Sequence, residues 1–294
     1  MTDIAILDVF SLGGSGGNPC PTVMDATALS PGEMQAIAKR FGHESGFIVS
    51  SEGERGPLRF RFFVPNHEME MCGHATIGAL WLLAHEGRLA EGIARVETLS
   101  GLVTGFVGRD RTGAPTVEIT QPVGTVTPLA RDAEAGVLAA LGLDRSDLLD
   151  LPIHNAATAR VKTLVPVREP ERLNAITTEM PVVEAACRAI GSTGLYPYAP
   201  LAEERAFDAR QFPASSGYPE DAATGIAAAA LAFGLLDDGL VAPDDRPIRI
   251  FQGRAMGSLS RIDVRIGFAG GRPVGCLLGG EVTLRETIRA AVAA

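Results

Sequence analysis

The chain has 294 residues, of which 46% are hydrophobic and 21% charged, with a formal net charge of −9 and an isoelectric point near 5.1. That length admits one large domain or two of ordinary size, and the composition is that of a globular chain. The acid excess excludes a protein built on phosphate-backbone contacts, which need clustered Lys and Arg, so no nucleic-acid partner is expected.

Met1-Thr2-Asp3-Ile4 carries no basic segment and no long apolar run, so no secretory signal is expected. In chain order, residues 4–10 predict a first strand. Gly13-Gly14-Ser15-Gly16-Gly17-Asn18-Pro19 follows as a flexible loop. No Gly-Lys-Ser/Thr comes after it and no dinucleotide fingerprint is present, so it is not a phosphate loop. It reads either as a glycine-rich turn or as backbone that must approach a ligand closely. Ser30-Pro31-Gly32-Glu33 starts a helix, with Ser30 at the N-cap, Pro31 at the first helical position and Glu33 closing a capping box. Gly42 stops that helix after Phe41. His43-Glu44-Ser45 then leads into a strand over 46–49, which puts Glu44 at a helix-to-strand junction. A solvated loop carboxylate is the plain alternative to a functional one there. Residues 58–64 predict a strand, and 94–99, 103–107 and 116–120 three more. Gln121-Pro122-Val123-Gly124 reads as a crossing between domains. Beyond it, helices over 133–141 and 182–190 and strands over 160–165, 195–198, 206–212, 248–251, 260–266 and 273–278 repeat the rhythm, and 283–292 predicts a terminal helix. Cys20, Cys72, Cys187 and Cys276 lie far apart, with no C-x-x-C and no Cys/His cluster at zinc spacing. A reduced, cytoplasmic protein is the expectation.

Two stretches organise the rest. One is Met71-Cys72-Gly73-His74-Ala75-Thr76-Ile77-Gly78-Ala79; the other is Glu220-Asp221-Ala222-Ala223-Thr224-Gly225-Ile226-Ala227-Ala228. Each follows an extended segment and opens a helix that is apolar on nearly every side. A helix apolar all round must be enclosed, by a membrane or by a wrapped sheet. At roughly 12 residues these are too short for a bilayer, which needs about 20. A wrapped sheet is therefore expected around each, and no membrane partner. The stretches align at an offset of 149 residues (210 − 61, 226 − 77), matching Arg61 with Arg210, Phe63 with Phe212, Ile77 with Ile226 and Ala79 with Ala228. A self-match at half the chain length indicates two copies of one domain, placed at residues 1–122 and 123–280, with a terminal segment over 281–294.

Helix N-termini expose unpaired N–H groups and partial positive charge, and they bind carboxylates. Two such ends facing one cleft would grip a small anionic substrate without Arg or Lys. His74, in the first turn of its helix, reads as a neutral hydrogen-bonding imidazole or as a cap of its own loop. Cys72 precedes the same turn; a thiol there acts as base or nucleophile if its pKa is lowered, and is otherwise a small buried hydrophobe. Asp221 reads as the N-cap of the second helix, and Glu220 as solvated.

Together these residues resemble the PhzF-like phenazine-biosynthesis isomerase family. Gly17-Asn18-Pro19, His43-Glu44-Ser45-Gly46-Phe47, Cys72-Gly73-His74-Ala75-Thr76 and Glu220-Asp221-Ala222-Ala223-Thr224-Gly225 are similar to family segments in the same order, as are Gln252-Gly253, Met256-Gly257 and Ser260-Arg261. The resemblance spans nearly the whole chain. It implies an α+β fold of two similar domains, each a rolled sheet around one apolar helix, as in diaminopimelate epimerase, with the site in the cleft between them. It implies proton relocation on a small carboxylate-bearing substrate without cofactor or metal, and a homodimer. By resemblance Glu44 moves the proton, His74 and Asp221 bind and polarise the substrate, and Asn18, Gly73, Thr76, Thr224 and Gly225 line its site. A carboxyl that both takes and gives a proton needs a partly buried setting. Ala222 departs from the family's usual proline, His43 replaces a small polar residue beside Glu44, and Glu70 stands where an apolar residue or proline is common. The Met71–His74 run also resembles proline racemase and diaminopimelate epimerase, which use two opposed thiols; Ala222 stands where a second cysteine would be wanted. Two rival readings keep the fold: a one-thiol epimerase working through Cys72, and a non-catalytic binding protein.

Overall fold

Runs of β-branched and aromatic residues, cut by glycine and proline, divide the first part of the chain into β1 (Thr2–Ser11), β2 (Asn18–Val23), helix α1 (Pro31–Phe41), β3 (Ser45–Ser50), β4 (Leu58–Val64), β5 (His67–Met69), helix α2 (Gly73–His85), β6 (Gly92–Thr98), β7 (Gly101–Arg109) and β8 (Pro115–Gln121). There follow β9 (Thr125–Pro128), α3 (Arg131–Leu141), β10 (His154–Ala157), β11 (Lys162–Pro166), α4 (Pro170–Asn174), α5 (Met180–Ala189), β12 (Gly194–Pro200), β13 (Ala206–Ala209), β14 (Phe212–Pro213), α6 (Gly225–Asp237), β15 (Ile248–Gln252), β16 (Ser260–Ala269), β17 (Arg272–Gly279) and β18 (Glu281–Ala290). This is a computed structural model, and it describes residues 1–50, 57–214 and 216–290. The chain divides into two units: Met1–Thr120 with Gly279–Ala294, and Gln121–Leu278.

The two units share one topology. From β1 through β2, β3, β4 and β6 to β7 the pairings run antiparallel, parallel, antiparallel, parallel, antiparallel. From β10 through β11, β12, β13 and β15 to β16 they run in the same order. β18 flanks β1 as β9 flanks β10, both antiparallel. Parallel neighbours need a crossover, and a helix supplies each one. α1 bridges the first parallel pair of its unit, and α4 with α5 bridges that of the other. The second parallel pair is bridged by α2 in one unit and α6 in the other.

Those last two helices are the enclosed ones. α2 is buried at every residue from His74 to Ala84, and it packs on β1, β2, β3 and β7. α6 is buried from Ala227 to Leu235, against β9, β10, β11 and β16. Neither has a polar face to offer water, so each sheet curls around its own helix. No described helix is long and apolar enough to cross a membrane. α1 starts in the expected capping box, with Glu33 Oε2 accepting from Ser30 N at 2.7 Å, and ends at Gly42 in the left-handed region.

The internal repeat holds in the strands but slips at the helices. Arg61 forks onto Glu68 through two bonds of 2.7 Å and lies 5.2 Å over the Phe63 ring. Arg210 forks onto Glu220 at 2.9 and 2.8 Å and lies 4.8 Å over Phe212. Both enclosed helices have 13 residues, but their starts are 152 apart (225 − 73). Three extra residues therefore fall in the loop before α6. The matches of Ile77 with Ile226 and Ala79 with Ala228 are coincidental, since a three-residue slip rotates a helix by roughly 300°.

Two expected elements differ. The segment over 283–292 is not a helix: Glu281–Ala290 is strand β18, paired along β1, and residues 291 and 292 lie outside the described residues. β1 is a core strand whose Ile4, Leu7 and Val9 are fully buried. Its buried backbone groups need partners on both sides, and that demand overrides the helix-forming Leu, Arg and Glu of the tail. The strand over 206–212 is broken into β13 and β14, with Arg210 and Gln211 between them.

Candidate active site

In the first unit, α1 stops at Gly42 and β3 begins at Ser45, so the short link holds Glu44 beside the start of α2. The Cys72 thiol donates to Glu44 Oε2 at 3.3 Å. His74 Nδ1 lies 3.4 Å from the same oxygen and 3.4 Å from Cys72 Sγ. Glu44 is one-third exposed, while His74 is 92% buried by the 8% exposure of its side chain. His74 Nε2 is fully enclosed and has no hydrogen-bond partner among the described residues. Cys72 is the N-cap of α2 and makes no side-chain cap bond, so the first N–H groups, from Gly73 on, lack intrahelical acceptors. This half-site offers a carboxylate, an imidazole and an uncapped helix start.

Cys72 does not behave as the helix start suggested. Burial first, then the charge of Glu44, pushes its thiol well above the ordinary range. Desolvation outweighs the helix field. All four cysteines are buried, and burial carries Cys20 and Cys276 to about 12 and Cys187 to about 11. Since the thiolate is the nucleophile, native protein at neutral pH should resist iodoacetamide at every cysteine and react after unfolding. Rapid native alkylation of Cys72, read by peptide mass spectrometry, would contradict this. His43 is exposed; partial desolvation of its ring, then Arg285, holds its imidazole below the ordinary value, so it adds no fixed positive charge beside Glu44.

Other contacts in this unit shape the glycine loop, the start of β2 and the first turn of α2. Gly13 and Gly14 donate to the Glu281 carboxylate at 3.1 and 2.9 Å, which ties the glycine loop to its own sheet. Gly17 has φ +86°, and a Cβ there would stand 2.9 Å from the Val9 carbonyl. Backbone meets backbone where β1 bulges at Phe10. Asn18 heads β2, opposite Val9. Thr76 is fully buried and donates its hydroxyl to the Cys72 carbonyl at 2.8 Å, so it shapes the first turn of α2.

In the second unit the N-cap of α6 is Thr224, not Asp221. Thr224 Oγ1 donates to Asp221 Oδ2 at 2.5 Å and accepts from Gln252 Nε2 at 3.1 Å. Gln252 also donates to the Asp221 carbonyl at 2.6 Å, and its Oε1 accepts from Thr224 N at 3.2 Å and Tyr196 OH at 2.9 Å. Thr224 is a good capping residue, yet its oxygen is engaged elsewhere and α6 starts, at Gly225, without a side-chain cap. Gly253 fixes the arrangement: it has φ +82°, and a Cβ there would collide with the Ser258 and Ala222 carbonyls. Glu220, expected in solvent, is instead 12% exposed and paired with Arg210. Sequence reading missed Tyr196 and Lys162. Only the repeat could have found Lys162, which heads β11 as Asn18 heads β2.

Lys162 is 5% exposed. Burial pulls its amine down to about 8, against the opposing pull of Asp221. A lysine whose folded pKa lies below its ordinary 10.5 carries a penalty that is complete below about pH 8 and gone above 10.5. Wild-type stability should therefore rise relative to Lys162→Met over that window, by ~3 kcal/mol at most. Urea midpoints of the two proteins at either end of the window test it; parallel midpoints would contradict it.

The shared topology makes the halves comparable position by position. Glu44 immediately precedes β3; Thr193 immediately precedes β12, and its hydroxyl donates to the Val161 carbonyl at 2.7 Å. Cys72 caps α2, and Thr224, rather than Ala222, holds that place on α6. At these two matched positions one half thus carries a carboxylate and a thiol, and the other carries two hydroxyls.

A doubled unit, each copy curling its sheet around one helix, is the architecture of the diaminopimelate epimerase-like folds. A family model described as "Phenazine biosynthesis-like protein" matches residues 7–283. The chain is 30% identical to an uncharacterized isomerase of Deinococcus radiodurans, over 95% of this chain and 92% of the relative. It is 28% identical to the trans-2,3-dihydro-3-hydroxyanthranilate isomerase of Pseudomonas fluorescens, over 87% of each. A crystal structure of a PhzF-family phenazine biosynthesis protein from Bacillus anthracis superposes with a TM-score of 0.88 at 23% identity, covering 99% of both chains, which shows the shared fold. The chain belongs to the phenazine biosynthesis-like, or PhzF-like, family of isomerases.

Proposed function

We propose that this protein is a cofactor-independent isomerase in which Glu44 removes a proton from a carbon of a small carboxylate-bearing substrate and returns it to another carbon. The substrate's carboxylate would lie against an uncapped helix start, that at Gly73 or that at Gly225. His74 and Asp221 would bind and polarise its other polar groups. The proton leaves to Glu44, the C–H electron pair shifts along the conjugated system, and reprotonation gives an isomer of unchanged composition.

The observation that carries this reading is the asymmetry. Glu44 before β3 and Cys72 at the start of α2 stand in one half, and Thr193 and Thr224 occupy the matching places in the other. A two-base racemase needs an acid/base group on each side of its substrate; a single proton-carrying group suits relocation by one base. The raised Cys72 thiol argues against the one-thiol epimerase.

The test is solvent-deuterium wash-in, followed by mass spectrometry. Trans-2,3-dihydro-3-hydroxyanthranilate, from the name of the Pseudomonas relative, is the first probe, followed by a panel of small cyclic carboxylates. Wild type should incorporate deuterium into a turned-over compound and Glu44→Gln should not. Undiminished incorporation by Glu44→Gln would remove the base assigned here.

A further inference from the structure

Glu44 Oε2, Cys72 Sγ and His74 Nδ1 form a nearly equilateral triangle with edges of 3.3, 3.4 and 3.4 Å. Carboxylate, thiolate and imidazole are the three side-chain donors that zinc takes, at bond lengths of ~2.0, ~2.3 and ~2.05 Å. Placed at tetrahedral angles, such bonds put the donor atoms roughly 3.5 Å (S to O), 3.6 Å (S to N) and 3.3 Å (N to O) apart. Each observed edge lies within about 0.2 Å of its counterpart. Hydrogen bonds through the thiol account for the two sulfur edges, but the nitrogen-to-oxygen edge of 3.4 Å exceeds the usual N–H···O range, which ends near ~3.2 Å. The donors are also held in place. Cys72 is the buried N-cap of α2, His74 follows in its first turn, and both side chains are enclosed. Glu44, one-third exposed, leaves the outer side open for a fourth ligand.

The geometry points to a reversible zinc site on Glu44, Cys72 and His74, with its fourth position open to water or a small ligand. Binding displaces the thiol proton to the buffer and moves no electrons. Zinc here is not a cofactor. It occupies the carboxylate that the proposed reaction needs, so on that reading it is an inhibitor, relieved by chelation.

The binding experiment needs no substrate, and so stands apart from the isomerase reading. Chelator-treated protein is titrated with zinc against a chromophoric chelator, and separately with cobalt(II). The expected result is one zinc per chain, together with a near-ultraviolet thiolate-to-cobalt band. Cys72→Ala should weaken zinc by at least ~100-fold, beyond the usual effect of altering a ligand's outer partner, and should abolish the band. The cobalt spectrum of the unaltered protein keeps the test valid if that variant folds poorly. No band, or equal zinc affinity in wild type and a folded Cys72→Ala, would overturn the site. With zinc bound, deuterium wash-in should stop at one equivalent and return with chelator. Zinc bound through Cys72 with exchange undiminished would leave the site standing and count against Glu44 as the base.

Discussion

Glu44→Gln should slow deuterium exchange by ~10²–10⁴-fold, the usual contribution of a positioned acid/base group. The amide keeps the size and the hydrogen-bonding reach of the carboxylate but cannot carry the proton. Substrate affinity should change little, because the helix starts and His74 remain; the loss should fall on turnover. Cys72→Ala is the informative companion. The thiol gives Glu44 one weak donor at 3.3 Å, so its removal should cost roughly tenfold at most. A thiol-based epimerase predicts the reverse order, with Cys72→Ala inactive and Glu44→Gln impaired only in part. Measuring both variants on the same compound separates the two chemistries. Equal and severe losses in both would mean that the pair acts as one unit, contrary to the assignment of a single base.

The two enclosed helices were legible because all-round apolarity over so short a stretch leaves only one solution, a sheet wrapped around each. The capping box at Ser30 and the stop at Gly42 were legible because the signals are local. What escaped was set by partners distant in sequence. The tail became β18 because β1 needed a neighbour. Glu220 went inside because Arg210, ten residues away, is buried and requires a counter-charge. Thr224, not Asp221, stands at the N-cap position of α6, with its oxygen held by Asp221 and by Gln252 from β15. The gapless alignment matched the arginine–phenylalanine pairs correctly and the helices wrongly, since small apolar residues align at almost any register. Glu44 was found by resemblance to a family. Its place beside Cys72 and His74 depends on a link between α1 and β3 whose path no local signal specifies.

Glu220→Gln should be the most destabilising polar substitution in the second unit, by ~3–5 kcal/mol, the usual cost of leaving one partner of a buried pair charged. Arg210 and Glu220 have side chains only 7% and 12% exposed. Arg210 also donates to the carbonyls of Leu173 and Ile176 at 3.1 and 2.7 Å, so it cannot swing out to water without breaking the end of α4. By contrast Arg59 and Glu97, paired at 3.2 Å, are 64% and 45% exposed. Glu97→Gln should therefore cost no more than ~1 kcal/mol. Urea unfolding of both variants, compared at their midpoints, makes the test. Replacing both partners, as Arg210→Met with Glu220→Met, should recover part of the loss, because neither charge is then stranded. The consequence reaches the site through one peptide bond. Glu220 anchors the turn that presents Asp221 and Thr224, so Glu220→Gln should also lower turnover in the fraction that remains folded, while Glu97→Gln leaves it unchanged. A Glu220→Gln protein as stable as wild type would mean that the Arg210 fork is satisfied by the carbonyls alone and that the turn is held by Gln252.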